Sequence, residues 1–518
     1  MKNRSLLGIA GIVAVGTLLS KVMGLIRQVT IAWAFGVGEG VDAYNYAYVI
    51  PGFLLILLGG INGPFHSSIV SVVSRRPQAE AAQIIETVNT IVGLFLLVLT
   101  ILLIWFAEPI TALWQGLTAT DVGLTTKAIA VEQLRIMAPM AILSGLIGIG
   151  FGALNASHQY WLPSVSPLLS SVAVVVAVIL FADRSDPWQG GRVLAWGTLG
   201  GAFLQWLAQI PAQIRSGLGG VRLRWQIGHP GVKEILSILV PATLSSGLLY
   251  INVNVDLFFA AYIPQAAAAL GYAQLLVQTP LGLTSNMILV PLMPLLSRLS
   301  ADAPELKQRI RQGLIVTALT MLPLSGMFIA LADPIVSLVY ERGQFTRTAT
   351  EFVAKILISY GVGMFVYLAR DVLVRVFYAL GDGDTPFRLS LLGVFLNIVF
   401  DWLWVGQFGA PGLALATATV NLISLLLLLV CLSQRLGGLP LLNWMVPIVQ
   451  ITLVSTIGGS LSWLIITLLP PAGNFYWQCL RLGLAGGAGL LLIVLLLLPL
   501  KLPEVELVIH KLQAKLKL

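Results

Sequence analysis

Charge is scarce in this chain. Of its 518 residues only 10% are Asp, Glu, Lys or Arg, where a soluble domain carries about a quarter. So few charges cannot cover a water-facing surface, which excludes a soluble globular protein. Cysteine is nearly absent. Cys431 and Cys479 lie in separate apolar stretches, with no disulfide framework and no metal-binding spacing. There are four histidines, and His66 and His158 have no sequence neighbour with which to bind metal. The apolar runs are continuous rather than alternating, which argues against a transmembrane β-barrel. No nucleophile–base pair, phosphate loop or pair of catalytic carboxylates stands out, so an enzyme is not expected. The net charge of +8 does not indicate nucleic acid, because the basic residues sit in short loops between apolar runs.

What the chain does have is apolar length. It is 57% hydrophobic, with a mean hydropathy of +0.91. About 20 apolar residues in a helix cross a bilayer core, and lipid-exposed backbone tolerates little besides helices. The expected fold class is an all-α polytopic membrane protein. Fourteen spans are expected, near 7–35, 42–73, 84–107, 128–154, 160–182, 192–214, 232–262, 266–298, 308–332, 350–380, 387–406, 410–434, 441–469 and 475–500. The first run lacks a small-residue cleavage site and leads straight into more membrane, so it reads as a retained span. Loops on one side carry the basic residues, among them Lys2, Arg4, Arg75, Arg76, Arg222, Arg224, Arg298, Lys307, Arg388, Arg435 and Lys501. The positive-inside rule then places both termini in the cytoplasm.

The expected organisation is a first six-helix lobe at 1–215, a basic linker at 216–231 and a second six-helix lobe at 232–436. A final helix pair follows at 437–501, with an amphipathic tail at 502–518. A weak internal repeat supports two lobes. Tyr46-Ala47 and Pro51 in the second span match Tyr272-Ala273 and Pro280 in the eighth. Two such halves around a central cavity are a common transporter plan. The linker is rich in Arg and suits the anionic cytoplasmic leaflet.

Three polar groups interrupt the apolar runs. The first is Lys21 and Arg27, with Gln28 beside them, inside the opening span. On a helix the two cations lie roughly 9 Å apart along the axis and about 120° apart around it. Gly24 sits angularly between them and adds no side chain. Cations at membrane depth normally face a polar interior, so this face is expected to bind an anion. The second group is oxygen-rich. Asn252 and Asp256, Asn397 and Asp401, and Thr417 and Asn421 each stand four apart in sequence. Oxygen ligands suit a hard cation such as sodium, or a proton; helix-to-helix hydrogen bonding is the simpler alternative. The third group is Arg370, Asp371 and Arg375, followed by the GDGDTP turn with Asp382 and Asp384. Asp371 can pair with Arg375 one helical turn on. A structural turn is the preferred reading, and a conformational gate is the alternative. The YERGQFT stretch, 340–346, reads as a capped outer loop.

The residues resemble one known family. SKVMGLIRQ (20–28), FGVGEGVDAY with Asp42, YERGQFT (340–346) and RVFYALGDGDTP (375–386) are similar to the MurJ/MviN proteins over roughly residues 5–500. These belong to the multidrug/oligosaccharidyl-lipid/polysaccharide exporter superfamily. The resemblance implies two six-helix lobes, with a final helix pair forming a groove for a lipid tail. It implies flipping of lipid II, the undecaprenyl-pyrophosphate-linked peptidoglycan precursor, to the outer leaflet. Lys21 and Arg27 match two of the cavity cations that hold pyrophosphate, while Leu55 and Leu275 stand where the family often has arginine. Gln274 and Gln278 replace acidic residues beside the latter. Asp256, Asn397, Asp401 and Thr417, with the backbone carbonyl of Leu413, match the family's sodium ligands. The expected partners are lipid II or a similar polyprenyl-pyrophosphate glycolipid, membrane lipids and cell-wall synthesis enzymes. No resident cofactor is expected beyond a coupling sodium ion or proton. The alternatives are a flippase for another polyprenyl-linked glycan, a cation-coupled drug exporter, or a non-transporting scaffold for wall synthesis.

Overall fold

The computed structural model describes residues 6–60, 63–114, 121–218, 222–248, 251–296, 304–470, 474–500 and 502–504. Among the described residues there are helices and no strands. In chain order they are α1 (Leu6–Phe35), α2 (Glu39–Leu57), α3 (Pro64–Val73), α4 (Gln78–Trp105), α5 (Ala107–Thr111), α6 (Asp121–Met137) and α7 (Met140–Ala156). Next come α8 (Trp161–Phe181), α9 (Pro187–Leu207), α10 (Ile210–Arg215), α11 (Pro230–Leu248), α12 (Ile251–Ala260) and α13 (Ala266–Leu296). The remainder are α14 (Pro304–Ala330), α15 (Ala332–Tyr340), α16 (Arg347–Ala379), α17 (Asp384–Phe408), α18 (Ala410–Arg435), α19 (Leu441–Leu468) and α20 (Phe475–Leu497).

Ten of these are long and apolar enough to cross a membrane, or eleven if α6 and α7, bent by 43° at their junction, form one span. Each of the fourteen expected segments coincides with one helix or a consecutive pair. The bend falls at Pro139, which cannot donate a backbone hydrogen bond. The expected tail lies, beyond Glu504, outside the described residues, as do Arg298, Lys501 and the side chain of Asn252.

The chain divides into two compact units. One comprises Met1–Ala268 with Arg342–Phe345, and the other Ala269–Glu341 with Thr346–Leu518. This differs from the lobe boundary expected at 216–231. The reason lies in α11: Val232, Ile235 and Leu239 share one apolar core with Val72, Ile84 and Val88 of α3 and α4. Arg76 reinforces the junction, bonding Glu80 at 2.5 Å and Glu234 of α11 at 2.9 Å. These bonds, that to Glu80 first, hold the Arg76 guanidinium above its ordinary range.

Lipid tails are as apolar as leucine, so helices in a membrane associate through close packing and hydrogen bonds. The first unit does this with small residues. A Cβ on Gly201 of α9 would sit 2.7 Å from the Ser170 carbonyl oxygen of α8, and α1 meets α8 where Ser20 donates to the Ser164 carbonyl at 3.0 Å. Gln133 of α6, fully buried, donates to the carbonyls of Gly40 (3.1 Å) and Gly191 (3.0 Å), tying α2 to α9. In the second unit α19 packs on α14 and α20. Ser462 of α19 donates to the Ala485 carbonyl of α20 at 2.8 Å.

The YERGQFT stretch is a capped loop, as expected. Thr346 Oγ1 accepts from the Ala349 N–H at the start of α16 (3.3 Å), and Thr350 donates to Glu341 (2.8 Å). Its central four residues pack in the first unit. There the Gln344 N–H donates to the Trp33 carbonyl at 2.9 Å, and the Arg184 guanidinium lies 3.7 Å from the centre of the Trp33 ring. Gly36, at φ +58°, turns the chain off α1 where a Cβ would come 2.5 Å from the Gln344 carbonyl oxygen.

Candidate functional site

The first unit carries the cationic group. Lys21 is exposed on α1, and Arg27 and Gln28 are half-buried. Gly24 has open space where a side chain would stand, with nothing within 4 Å of a Cβ placed there. The patch between the two cations is therefore bare, as their spacing predicts. Arg27 Nε is buried without a hydrogen-bond partner, while the guanidinium reaches the Tyr48 hydroxyl of α2. Tyr48 in turn stacks on Tyr44 at 5.3 Å, and the Tyr44 hydroxyl bonds Thr198 of α9 at 3.0 Å. This tyrosine pair lies beside Arg27. The i, i+4 spacing of Tyr44 and Tyr48 in YNYAY was its visible signal in the sequence.

Asp42, expected with Lys21 and Arg27 among the substrate-binding residues, lies on α2. It is buried, and its Oδ1 accepts the Ala268 N–H at 2.9 Å, in the first turn of α13. A carboxylate there satisfies an otherwise orphaned helical donor and complements the helix dipole. Leu55, on α2, is half-buried in the first unit, and Leu275, on α13, is half-buried in the second.

The oxygen-rich group is largely in the second unit. Asn397 and Asp401, both buried on α17, share a hydrogen bond of 2.9 Å from Nδ2 to Oδ2. On α18, Thr417 donates to the Leu413 carbonyl (3.2 Å), and Asn421 donates to the Thr417 carbonyl (2.7 Å). Two contacts fix the antiparallel register of these helices. A Cβ on Gly393 would meet Val420 at 3.5 Å, and Gly412 abuts the backbone of Trp404. Interpolating between them sets Asn397 and Asp401 level with Thr417 and Leu413. One carboxylate among amide, hydroxyl and carbonyl oxygens suits a hard monovalent cation. Asp256 lies half-buried on α12 in the first unit.

In the third group, Asp371 pairs with its neighbour Arg370 at 3.5 Å rather than with Arg375. Arg370 also donates to Ser390 of α17 at 3.2 Å. In the turn, Asp382 accepts from the Thr385 N–H (3.0 Å) and hydroxyl (2.8 Å), and Arg435 of α18 clasps it at 2.5 Å. Asp384 opens α17 as its first residue. Gly381, at φ +74°, supplies the left-handed step that brings Asp382 under Thr385.

The Thr385 N–H, foremost, holds the Asp382 carboxyl below the usual carboxylate range, with Arg435 adding to it. A depressed native pKa gives stability that is full above the unfolded value, about 3.9, and lost as pH falls through the native value. Asp382→Ala should therefore speed amide exchange in residues 380–390 about two- to thirtyfold at pH 7, the effect of losing a cap worth roughly 0.5–2 kcal/mol. Hydrogen exchange read by mass spectrometry checks this. The difference from the unsubstituted protein should shrink below about pH 4.

The family model described as "Lipid II flippase MurJ" matches residues 31–476. A probable lipid II flippase MurJ of Synechocystis sp. is 52% identical over 486 residues, covering 92% of this chain and 89% of that protein. A solved structure of lipid II flippase MurJ in an inward closed conformation aligns at a TM-score of 0.76 and 25% identity, covering 93% of this chain and 97% of that one. An inward-facing multidrug-resistance MATE transporter of the MOP superfamily aligns at a TM-score of 0.60 and 16% identity, covering 80% and 94%, and so shares the fold. A family match spanning most of the chain, joined to a relative 52% identical over 486 residues, makes this protein a member of the lipid II flippase MurJ family.

Proposed function

We propose that this protein flips lipid II from the inner to the outer leaflet of the bacterial plasma membrane by alternating access. Family membership carries the reading, and the cationic face of α1 supplies the chemistry. Lys21 and Arg27 meet the pyrophosphate, with Gly24 leaving room for it between them. The undecaprenyl tail stays in lipid, beside α19 and α20. Both termini are cytoplasmic, by the distribution of Lys and Arg.

The polar set of α17 and α18 is the candidate coupling-cation site within the second unit. Asp401 and Asn397, with the Thr417 hydroxyl and Leu413 carbonyl, would hold sodium or a proton, and the ion's charge would make the return step sensitive to membrane potential. Cell-wall synthesis enzymes are partners in the same process.

In cells depleted of their own flippase, this protein should restore outer-leaflet accessibility of lipid II. Accessibility that stays at the depleted level, with the protein present in the membrane, would overturn the reading. Leu55 and Leu275, in place of family arginines, favour one alternative, a related polyprenyl-linked glycan with a less charged headgroup. That glycan would then become accessible in place of lipid II.

A further inference from the structure

Residues 222–226, between α10 and α11, lie outside any helix. One residue fastens them to α4: Arg224 pairs with Glu86 at 3.1 Å, and its backbone N–H donates to Thr90 Oγ1 at 3.0 Å. With Arg224 turned onto α4, its neighbours face outward, and Leu223 is 91% exposed and Trp225 65%. Large apolar side chains held this far into solvent mark an interaction surface, and Trp favours the membrane interface.

Beneath this strap lies a cavity of about 260 Å3, lined by Asn89, Gly93 and Leu97 of α4 and by Gln213, with Arg222 and Leu223 among its walls. It sits where α4 changes character. The turns before it carry Glu80 and Glu86, while the turns at it and beyond expose Leu94, Leu97 and Val98. That is the step from headgroup to acyl chain. Gly93 leaves the floor open, with nothing within 4 Å of a Cβ. Asn89 Oδ1 is buried and lacks a donor. Arg222 is exposed and makes no ion pair among the described residues.

We infer that this cavity binds an anionic glycerophospholipid whose headgroup bears hydroxyls. The phosphate lies against Arg222, a headgroup hydroxyl donates to Asn89 Oδ1, and an acyl chain runs out over Gly93 towards Leu97. Leu223 and Trp225 enter the same leaflet beside it, which the proposed orientation makes the cytoplasmic one. The volume is below the roughly 300–1,000 Å3 of pockets that enclose a whole small ligand. The cavity therefore takes the glycerol-phosphate region and leaves the chains in the bilayer. Phosphatidylglycerol has both the charge and the hydroxyls; phosphatidic acid has the charge alone; phosphatidylcholine has neither.

The inference needs a membrane protein but not a flippase, so a binding assay without transport tests it separately. The purified full chain, stripped of lipid in detergent, is titrated with each of the three lipids and read by native mass spectrometry. Phosphatidylglycerol should be retained at least tenfold better than phosphatidylcholine, with phosphatidic acid between them. Gly93→Leu fills the cavity from an open position and should abolish the preference. Gly200→Leu, equally open but outside the cavity, should keep it and so reports on folding. Arg222→Gln should lower phosphatidylglycerol to the phosphatidylcholine level. Equal retention of all three lipids, or a preference that survives both Gly93→Leu and Arg222→Gln, would overturn the inference.

Discussion

Replacing Lys21 and Arg27 together with Ala should slow lipid II flipping about a hundredfold or more at limiting substrate. Each cation can give the pyrophosphate a charged hydrogen bond, worth roughly 1.5–3 kcal/mol. Two of them amount to about 3–6 kcal/mol, or roughly two to four powers of ten at 1.4 kcal/mol each. The loss should appear in vesicles as slow exposure of lipid II and in depleted cells as failed growth. Lys21→Arg should retain most of the rate, because it keeps the charge. Gly24→Leu separates binding from folding. Its Cβ meets nothing within 4 Å, yet the added side chain occupies the space between the cations and should mimic the double variant. Flipping at the unsubstituted rate in the double variant, with equal protein in the membrane, would remove the α1 face from the mechanism.

Asp401→Asn should leave a folded transporter that no longer responds to an imposed cation gradient or potential. The substitution keeps the shape of the side chain within the buried Asn397 contact and removes its charge. A buried carboxylate is costly to desolvate, so neutralising it should not unfold the helix pair. One elementary charge moved through the membrane is worth about 2.3 kcal/mol per 100 mV. A step that carries it can therefore change by up to roughly fortyfold across that potential. The unsubstituted protein should show such acceleration in vesicles, and the variant should be flat. An undiminished response in Asp401→Asn would place the coupling elsewhere.

The helices were legible because a bilayer imposes their length. Each expected segment rested on an apolar run that must satisfy its own backbone, and that constraint is local. Interruptions within segments were less visible. The second expected span comprises two helices, α2 ending at Leu57 and α3 starting at Pro64, and the sequence between them reads LGGING. That Lys21 and Arg27 share one helix, and that Asn397 bonds Asp401, was readable because each pair lies within one element. Asp42 was not readable in this way. Its partner, the Ala268 N–H, is 226 residues away, and no local pattern announces such a contact. Gln133 was missed for the same reason, since Gly40 and Gly191 lie on two other helices. The first compact unit runs past the basic linker because α11 beyond it is bound by its apolar face to α3 and α4.

The four residues 342–345 bear on how such a chain can be divided. They are threaded late in the sequence yet complete the surroundings of Trp33 and Gly36 near its beginning. A gene cut after codon 268 would deliver a front half with a bare Trp33 carbonyl and an empty slot beside Gly36. A front half made alone would therefore lack four residues of its own compact unit.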